Sequence, residues 1–448
     1  MGQGGAFLLL PLLSNHYSPE VIGEASFILT AATASAILLS LQFDQAVVVA
    51  PEPAVSKVLT FSLVWSAGLS LLAGIVLLLL DPIISRPTSL YALGIGLAFS
   101  TAWFNLLQGL FMRENRVGPV SLSRVVFYAG APLAQILLAR PGQGSALLFL
   151  EAQLGASVTA IVILLLVHRP PLARIGGLAG LRATWAEFRD YALFQAPAIF
   201  INNLSHQTPI FILSILFGPE ASGLYFLAFR LVSAPTMLVS QAFGQVLFRD
   251  FAEESRKPNP NYLRLVSMLR AMLRLGPIAA AGGCLTLTFV LPLFLEPKWD
   301  PVAFYVVALI PSVGMTMVTS PVSPLVNLRG RQDASLRYNI LLLIGRAIAL
   351  ICGAPFGPLG SMTAYALFSA VALGHFLLFI HGLFSDERSR FRRMITVELG
   401  STLLMLLAFY LGQKSPAPQV ATGAIVATAS ALLLWRAAAF WKQRKKAA

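Results

Sequence analysis

The chain has 448 residues, of which 57% are hydrophobic and 11% charged, and a net charge of +13. That balance lies far from a soluble globular composition and excludes water as the main solvent. No stretch between apolar runs is long enough to bury a core of its own, which excludes a sizeable soluble catalytic domain.

A hydrocarbon core about 30 Å thick needs roughly 20 apolar residues per helical crossing. Taken in chain order, the apolar runs predict fourteen spans, near 1–14, 21–49, 58–80, 90–112, 119–138, 145–167, 191–216, 223–248, 272–295, 302–326, 338–352, 359–384, 394–411 and 420–440. Backbone amides in lipid must be satisfied internally, so these runs read as helices, and the strict alternation of a membrane barrel is absent. The first run is short. Met1-Gly-Gln-Gly-Gly carries neither a basic region nor an Ala-x-Ala site, so no removable signal peptide is expected, and a start codon placed too late would account for the clipped helix.

Cations fix the orientation, because short basic loops stay on the cytoplasmic side. With the N-terminus inside, the even-numbered loops and the tail hold twenty-two cations, whereas the odd-numbered loops hold only Arg86, Arg140, Lys298 and Lys414. Both termini are therefore expected to be cytoplasmic in a bacterial inner membrane. The positive charge follows from topology, with attraction to anionic membrane lipid as a consequence. No nucleic-acid partner is expected, since the basic residues form no folded basic face.

Cys284 and Cys352 both fall inside spans and read as packing thiols rather than a disulfide or metal pair. His16, His168, His206, His375 and His381 are scattered, and no phosphate-binding glycine loop or nucleophile elbow is present. Neither a metal nor another cofactor is expected.

An internal repeat is the most informative feature. Tyr17-Ser-Pro-Glu-Val-Ile-Gly23 opens the second span and Phe217-Gly-Pro-Glu-Ala-Ser-Gly223 opens the eighth, at an offset of 200. The same offset pairs Pro19 with Pro219, Glu20 with Glu220, Gly23 with Gly223, Ala34 with Ala234, Leu38 with Leu238, Ser40 with Ser240, Phe43 with Phe243 and Gln45 with Gln245. Six spans separate the copies, so both run in the same direction, and the halves read as parallel repeats of the kind that rock around a substrate site.

The stretch from Leu193 to Gly218, the Gly-x-Tyr-x-x-Ala-x-Arg-x-x-x-x-Pro pattern beginning at Gly223, and the Phe-Asp-Gln-Ala run at Phe43 resemble the polysaccharide flippases of the multidrug/oligosaccharidyl-lipid/polysaccharide exporter superfamily, in particular the O-antigen and capsule branch. The resemblance covers the whole chain. It implies an all-α polytopic fold in which two six-helix lobes, 1–168 and 191–385, surround a central cavity. A cytoplasmic linker at 169–190 joins them, and two added helices with a basic tail occupy 386–448. It also implies export of an undecaprenyl-pyrophosphate-linked oligosaccharide without nucleotide hydrolysis, with polysaccharide polymerase or assembly proteins as partners. A multidrug or cation antiporter of the same superfamily is the alternative. A membrane-embedded glycan polymerase or glycosyltransferase is disfavoured because no long periplasmic loop carries catalytic acids.

Ionisable groups inside spans mark the working surface, since each costs about 2.5–3.5 kcal/mol or more in lipid unless it finds a wet cavity or a partner. Arg230 and Arg346 lie roughly 10 and 12 Å deep at the helical rise per residue, and Arg124 is shallower. Arginine stays charged and offers a fork of donors to phosphate, so these three are the candidate pyrophosphate ligands. Glu151 is a candidate partner for a cation. In the seventh span, Asn202, Asn203, Ser205, His206 and Gln207 wrap most of a turn and cannot all face one cavity. Asn202, Asn203, His206 and Gln207 are the candidate sugar contacts, bracketed by the helix-kinking Pro197 and Pro209. Symmetry breaks at two places: Thr30 corresponds to Arg230, and Asp44 to Gly244. Asp44, expected within reach of Arg124, is the candidate ion-coupling residue.

Overall fold

The computed structural model describes residues 9–82, 87–172, 177–255, 257, 262–329, 331–413, 423–433, 435 and 436, and every regular element among them is helical. The chain divides into two compact units, Met1–Phe226 and Leu227–Ala448.

The first unit runs through α1 (Leu10–His16), α2 (Pro19–Ser40), α3 (Phe43–Val49), α4 (Glu52–Leu80), α5 (Thr88–Arg113), α6 (Val117–Val125), α7 (Ala131–Leu138), α8 (Ala146–Val167), α9 (Gly177–Asp190) and α10 (Ala196–Phe217), and contains the start of α11 (Pro219–Ser255). Ser18 caps α2 by accepting from the Val21 N–H, and Pro19 occupies the first turn, where its missing donor costs nothing. Packed against α5 are α2, α3 and α8, around a core that includes Phe43, Val58, Phe104, Leu107 and Phe111. On α4, Leu71, Leu78 and Leu79 are 67%, 74% and 72% exposed, which suits a helix whose outer face meets lipid rather than water.

The second unit takes up α11 and continues with α12 (Leu263–Phe294), α13 (Val302–Ala308), α14 (Ile310–Thr319), α15 (Pro324–Leu328), α16 (Gln332–Gly353), α17 (Gly357–His381), α18 (Arg388–Gln413) and α19 (Gly423–Leu433). α12 packs on α14 and α18, and α17 packs on α14 and α16. Leu269, Leu273, Val318, Leu377 and Phe391 are among the core residues. Cys284 is buried and Cys352 exposed, so only the former acts as a packing thiol.

Several expected spans are more broken than their hydropathy suggests. The second is interrupted by Leu41 and Gln42, both in the left-handed region with φ of 47° and 58°. The fifth contains a π-turn at Val126–Gly130 between α6 and α7, and the tenth is divided among α13, α14 and α15. The ninth is longer than expected, since α12 starts at Leu263. Residues 177–190 of the expected linker, 169–190, form the amphipathic helix α9. Trp185 of α9 packs against Phe61 and Trp65 of α4, so this segment belongs to the body of the first unit. α10, expected to open the C-terminal lobe, packs on α2 and clusters with the first unit.

Among the described residues, nine helices are long and apolar enough to cross a membrane, and ten if the bent pair Pro297–Ala308 and Ile310–Val326 makes one span. The expected fourteen exceeds that number for local reasons. Only Leu10–Ser14 of the first span lie in α1, and its residues 1–8 lie outside the described residues; Gly423–Leu433 is short, and residues 437–440 of the last span lie outside the described residues. Asp333–His381 counts once although it breaks at Ala354–Phe356 into two helices that pack on each other.

Within each unit, contacts at the helix ends join neighbouring loops. In the first unit, Arg113 reaches the Ala50 carbonyl and Glu52, and His168 meets Glu114 at 3.1 Å. At the other end, Gly142 and Gly144 donate to the Asn15 and His16 carbonyls. In the second unit, the guanidinium of Arg329 lies over the rings of Phe251, Tyr262 and Phe384, and Arg270 pairs with Glu387 at 3.0 Å, which gathers three expected cytoplasmic loops at one end.

The repeat has a physical counterpart. A methyl group at Gly23 would land on the Pro219 carbonyl, and one at Gly223 on the Pro19 carbonyl. The contact is reciprocal: each glycine receives the carbonyl of the proline four residues before its twin. Helix starts that approach this closely need small residues at the crossing.

Candidate functional site

In the first unit, the polar groups collect on α3, α5, α6 and α10. Arg124, on α6, is exposed, and its Nε donates to Gln108 Oε1 on α5 at 2.7 Å. The π-turn begins two residues later, and Phe127 within it stacks flat on Phe104, with ring centroids 4.4 Å apart. Asp44 lies in the first turn of α3, and its backbone carbonyl sits where a side chain at residue 109 would project, so Gly109 lets α3 and α5 close. Asp44 Oδ1 is enclosed with no hydrogen-bond partner. The expected approach of Asp44 to Arg124 is not made, because Arg124 turns to the neutral amide of Gln108 instead.

On α10 the structure sorts the polar run. Asn202 and His206 are exposed, Asn203 and Gln207 half-buried, and Ser205 and Thr208 buried. Residues 202, 203, 206 and 207 thus share one side of the helix, while Ser205 faces the packing. Asn203 Oδ1 is enclosed without a partner, and Thr208 bonds back to the Leu204 carbonyl. Pro209 is inside α10, whereas Pro197 sits in its first turn, immediately after a second π-turn at Tyr191–Gln195. Only Pro209 is therefore placed to kink this helix.

In the second unit, Arg230 is half-buried on α11. Arg346 is 2% exposed on α16, donates from Nε to Ser369 Oγ on α17 at 3.0 Å and lies 5.4 Å from the Tyr365 ring centroid. It is packed between these two helices, and a ligand reaches it only if they part. Glu151 is exposed on α8.

Two intramembrane acids escaped the sequence reading. Glu24 sits half-buried on α2. Glu398 on α18, 4% exposed, accepts from Arg436 at 2.5 Å, and Arg436 also donates to the Arg274 carbonyl of α12. An acid within an apolar run was the available signal for each. Among the described residues, no group of three or more His, Cys, Asp or Glu side chains could hold a metal ion.

The fold is that of known transporters. A lipid II flippase, MurJ in its inward closed conformation, superposes with a TM-score of 0.71 at 12% identity, covering 99% of this chain and 97% of that one. An inward-facing multidrug resistance MATE family transporter of the MOP superfamily gives 0.59 at 16% identity over 88% and 95%. A MOP superfamily transporter from Pyrococcus furiosus gives 0.52 at 16% identity over 91% and 92%. No curated protein matches by sequence. Residues 1–252, more than half of the chain, match the family model described as polysaccharide biosynthesis protein. A multi-pass helical membrane protein with this fold and this sequence signature belongs to the polysaccharide biosynthesis protein family.

Proposed function

We propose that the chain is a flippase that carries an undecaprenyl-pyrophosphate-linked oligosaccharide from the cytoplasmic to the periplasmic leaflet by alternating access. What supports this most is the combination of a polysaccharide biosynthesis signature over residues 1–252 with a lipid II flippase fold over 99% of the chain. In this reading the protein lies in the bacterial inner membrane with both termini cytoplasmic, and lobes 1–168 and 191–385 alternate in giving the substrate access. Arg124 and Arg230 hold the pyrophosphate, and Arg346 joins them only when α16 and α17 separate. The face of α10 that carries Asn202, Asn203, His206 and Gln207 offers donors and acceptors to sugar hydroxyls, and the polyprenyl tail stays in lipid. Polysaccharide polymerase and assembly proteins are the expected partners.

The test is reconstitution in sealed vesicles with a lipid-linked oligosaccharide, following exposure of the glycan to a membrane-impermeant glycosidase. Protein-dependent exposure is expected, and loss of charge-assisted contacts in Arg230→Ala should weaken binding by about one to two decades, for roughly 1.5–3 kcal/mol. Arg140→Ala, in an exposed loop, should be silent. Extrusion of cationic dyes in place of glycan exposure would favour the antiporter suggested by the multidrug transporter fold. Asp44 is proposed to couple transport to an ion gradient, since its Oδ1 is enclosed without a partner and taking up a proton would neutralise a carboxylate held away from water. Asp44→Asn should remove gradient dependence, and an unchanged dependence would return Asp44 to a packing role.

A further inference from the structure

Gln108 is 8% exposed and lies on an α5 segment whose neighbours Leu106, Leu107, Leu110 and Phe111 are all 1% exposed or less. A primary amide in such surroundings costs free energy unless its polar atoms are used. Its Oε1 is used: it accepts from Arg124 Nε at 2.7 Å. That bond engages one of the five guanidinium N–H groups of an exposed side chain and does not use the two terminal nitrogens, which can fork onto a phosphate.

The choice of a neutral acceptor matters. A carboxylate in the same position would orient the guanidinium equally well but would cancel its charge, whereas an amide orients it and leaves the full charge for an anion. Among the described residues Arg124 has no carboxylate within salt-bridge distance. The second anchor is one turn away on the same face of α5, where Phe104 holds Phe127 and with it the π-turn that follows Arg124. Wide turns of this kind inside helices are frequent at functional sites. Here the turn shifts the phase of the chain beyond Arg124, while Phe104 and Gln108 pin it from both sides.

We infer that Gln108 is a positioning residue that presents Arg124 to a phosphate of the transported lipid, an inference that rests on the flippase reading. The experiment uses full-length protein in nanodiscs, with undecaprenyl pyrophosphate and undecaprenol as probes. Wild type should prefer the pyrophosphate. Gln108→Glu is isosteric and adds an ion pair, so its melting temperature should hold or rise while pyrophosphate affinity falls about tenfold, matching Arg124→Ala, as expected for loss of one charge-assisted contact. Gln108→Met keeps the length and the charge on Arg124 and loses only orientation, so its affinity should fall about threefold on the same scale. Undecaprenol binding should be unchanged in all three. A merely structural Gln108 predicts the opposite, because the added ion pair would leave pyrophosphate affinity at the wild-type value. That outcome in Gln108→Glu, or in Gln108→Met should the first variant not fold, overturns the role of Gln108 alone. A wild type that binds both lipids equally overturns the flippase reading itself.

Discussion

Arginines that look equivalent in the sequence occupy different environments. Arg346 has a hydroxyl and an aromatic face as neighbours and almost no exposed surface, so its removal leaves a gap between α16 and α17. Arg346→Ala is therefore expected to destabilise the protein by about 2–4 kcal/mol, within the range for emptied core positions and broken buried polar contacts. Thermal unfolding in detergent is the measurement. Arg230→Ala should melt close to wild type and lose flipping instead, and a thermal loss equal to that of Arg346→Ala would assign Arg230 a packing role too. Depth was legible for both residues but direction was not, since depth follows from counting along a helix whereas direction depends on which neighbour the helix meets. Ser205 makes the same point: it differs from His206 only by its angle around α10. Gln108 was illegible for another reason, as a neutral amide in an apolar run raises no alarm until its partner is known.

At the scale of elements, the repeat was legible because the residues at the crossing of α2 and α11 are constrained by contact. Gly23, Gly223, Pro19 and Pro219 are identical across the offset of 200, and these four form the reciprocal contact. Any side chain there must push backbone carbonyls apart, which no rotamer change relieves. Gly23→Leu and Gly223→Leu should each prevent the crossing from closing. Ser222, 0% exposed and next to Gly23, provides the reporter. In a background with Cys284 and Cys352 replaced, Ser222→Cys should react slowly with an impermeant maleimide, and rapidly once either leucine is added. Equal rates in all backgrounds would show that this contact is static. Breaks in helices were less legible. Leu41 and Gln42 adopt left-handed conformations that ordinary L-residues take at a cost of about 1–2 kcal/mol each, and neither glycine nor proline marks the place. The twin positions Gln241 and Ala242 continue within α11, so the interruption belongs to one copy only, beside Asp44. Helix α9 was legible in principle, for Leu181, Trp185 and Phe188 follow helical spacing, but its charged face reads as linker when hydropathy alone is followed.

For the molecule as a whole, sidedness can be argued from two independent patterns. Cations collect in alternate loops, and the side chains of those loops find one another: Arg113 with Glu52, His168 with Glu114, Arg264 with Asp250 at 3.2 Å and Arg270 with Glu387. Loops of the other set join through backbone bonds between residues 15–16 and 142–144. Hydropathy cannot produce this pairing, because it depends on the parity of crossings between loops. A missed or surplus span would place a cation-rich loop at the wrong end of its unit. By the usual retention of short basic loops, the cation-rich end is the one expected to be cytoplasmic. Reporter fusions after Gly142 should accordingly read periplasmic, and fusions after Arg169 and Glu387 cytoplasmic. Agreement at Gly142 and Arg169 with reversal at Glu387 would locate an error in span number beyond Arg169, whereas reversal at all three would invert the protein and place the candidate phosphate ligand Arg124 near the wrong leaflet for a substrate assembled in the cytoplasm.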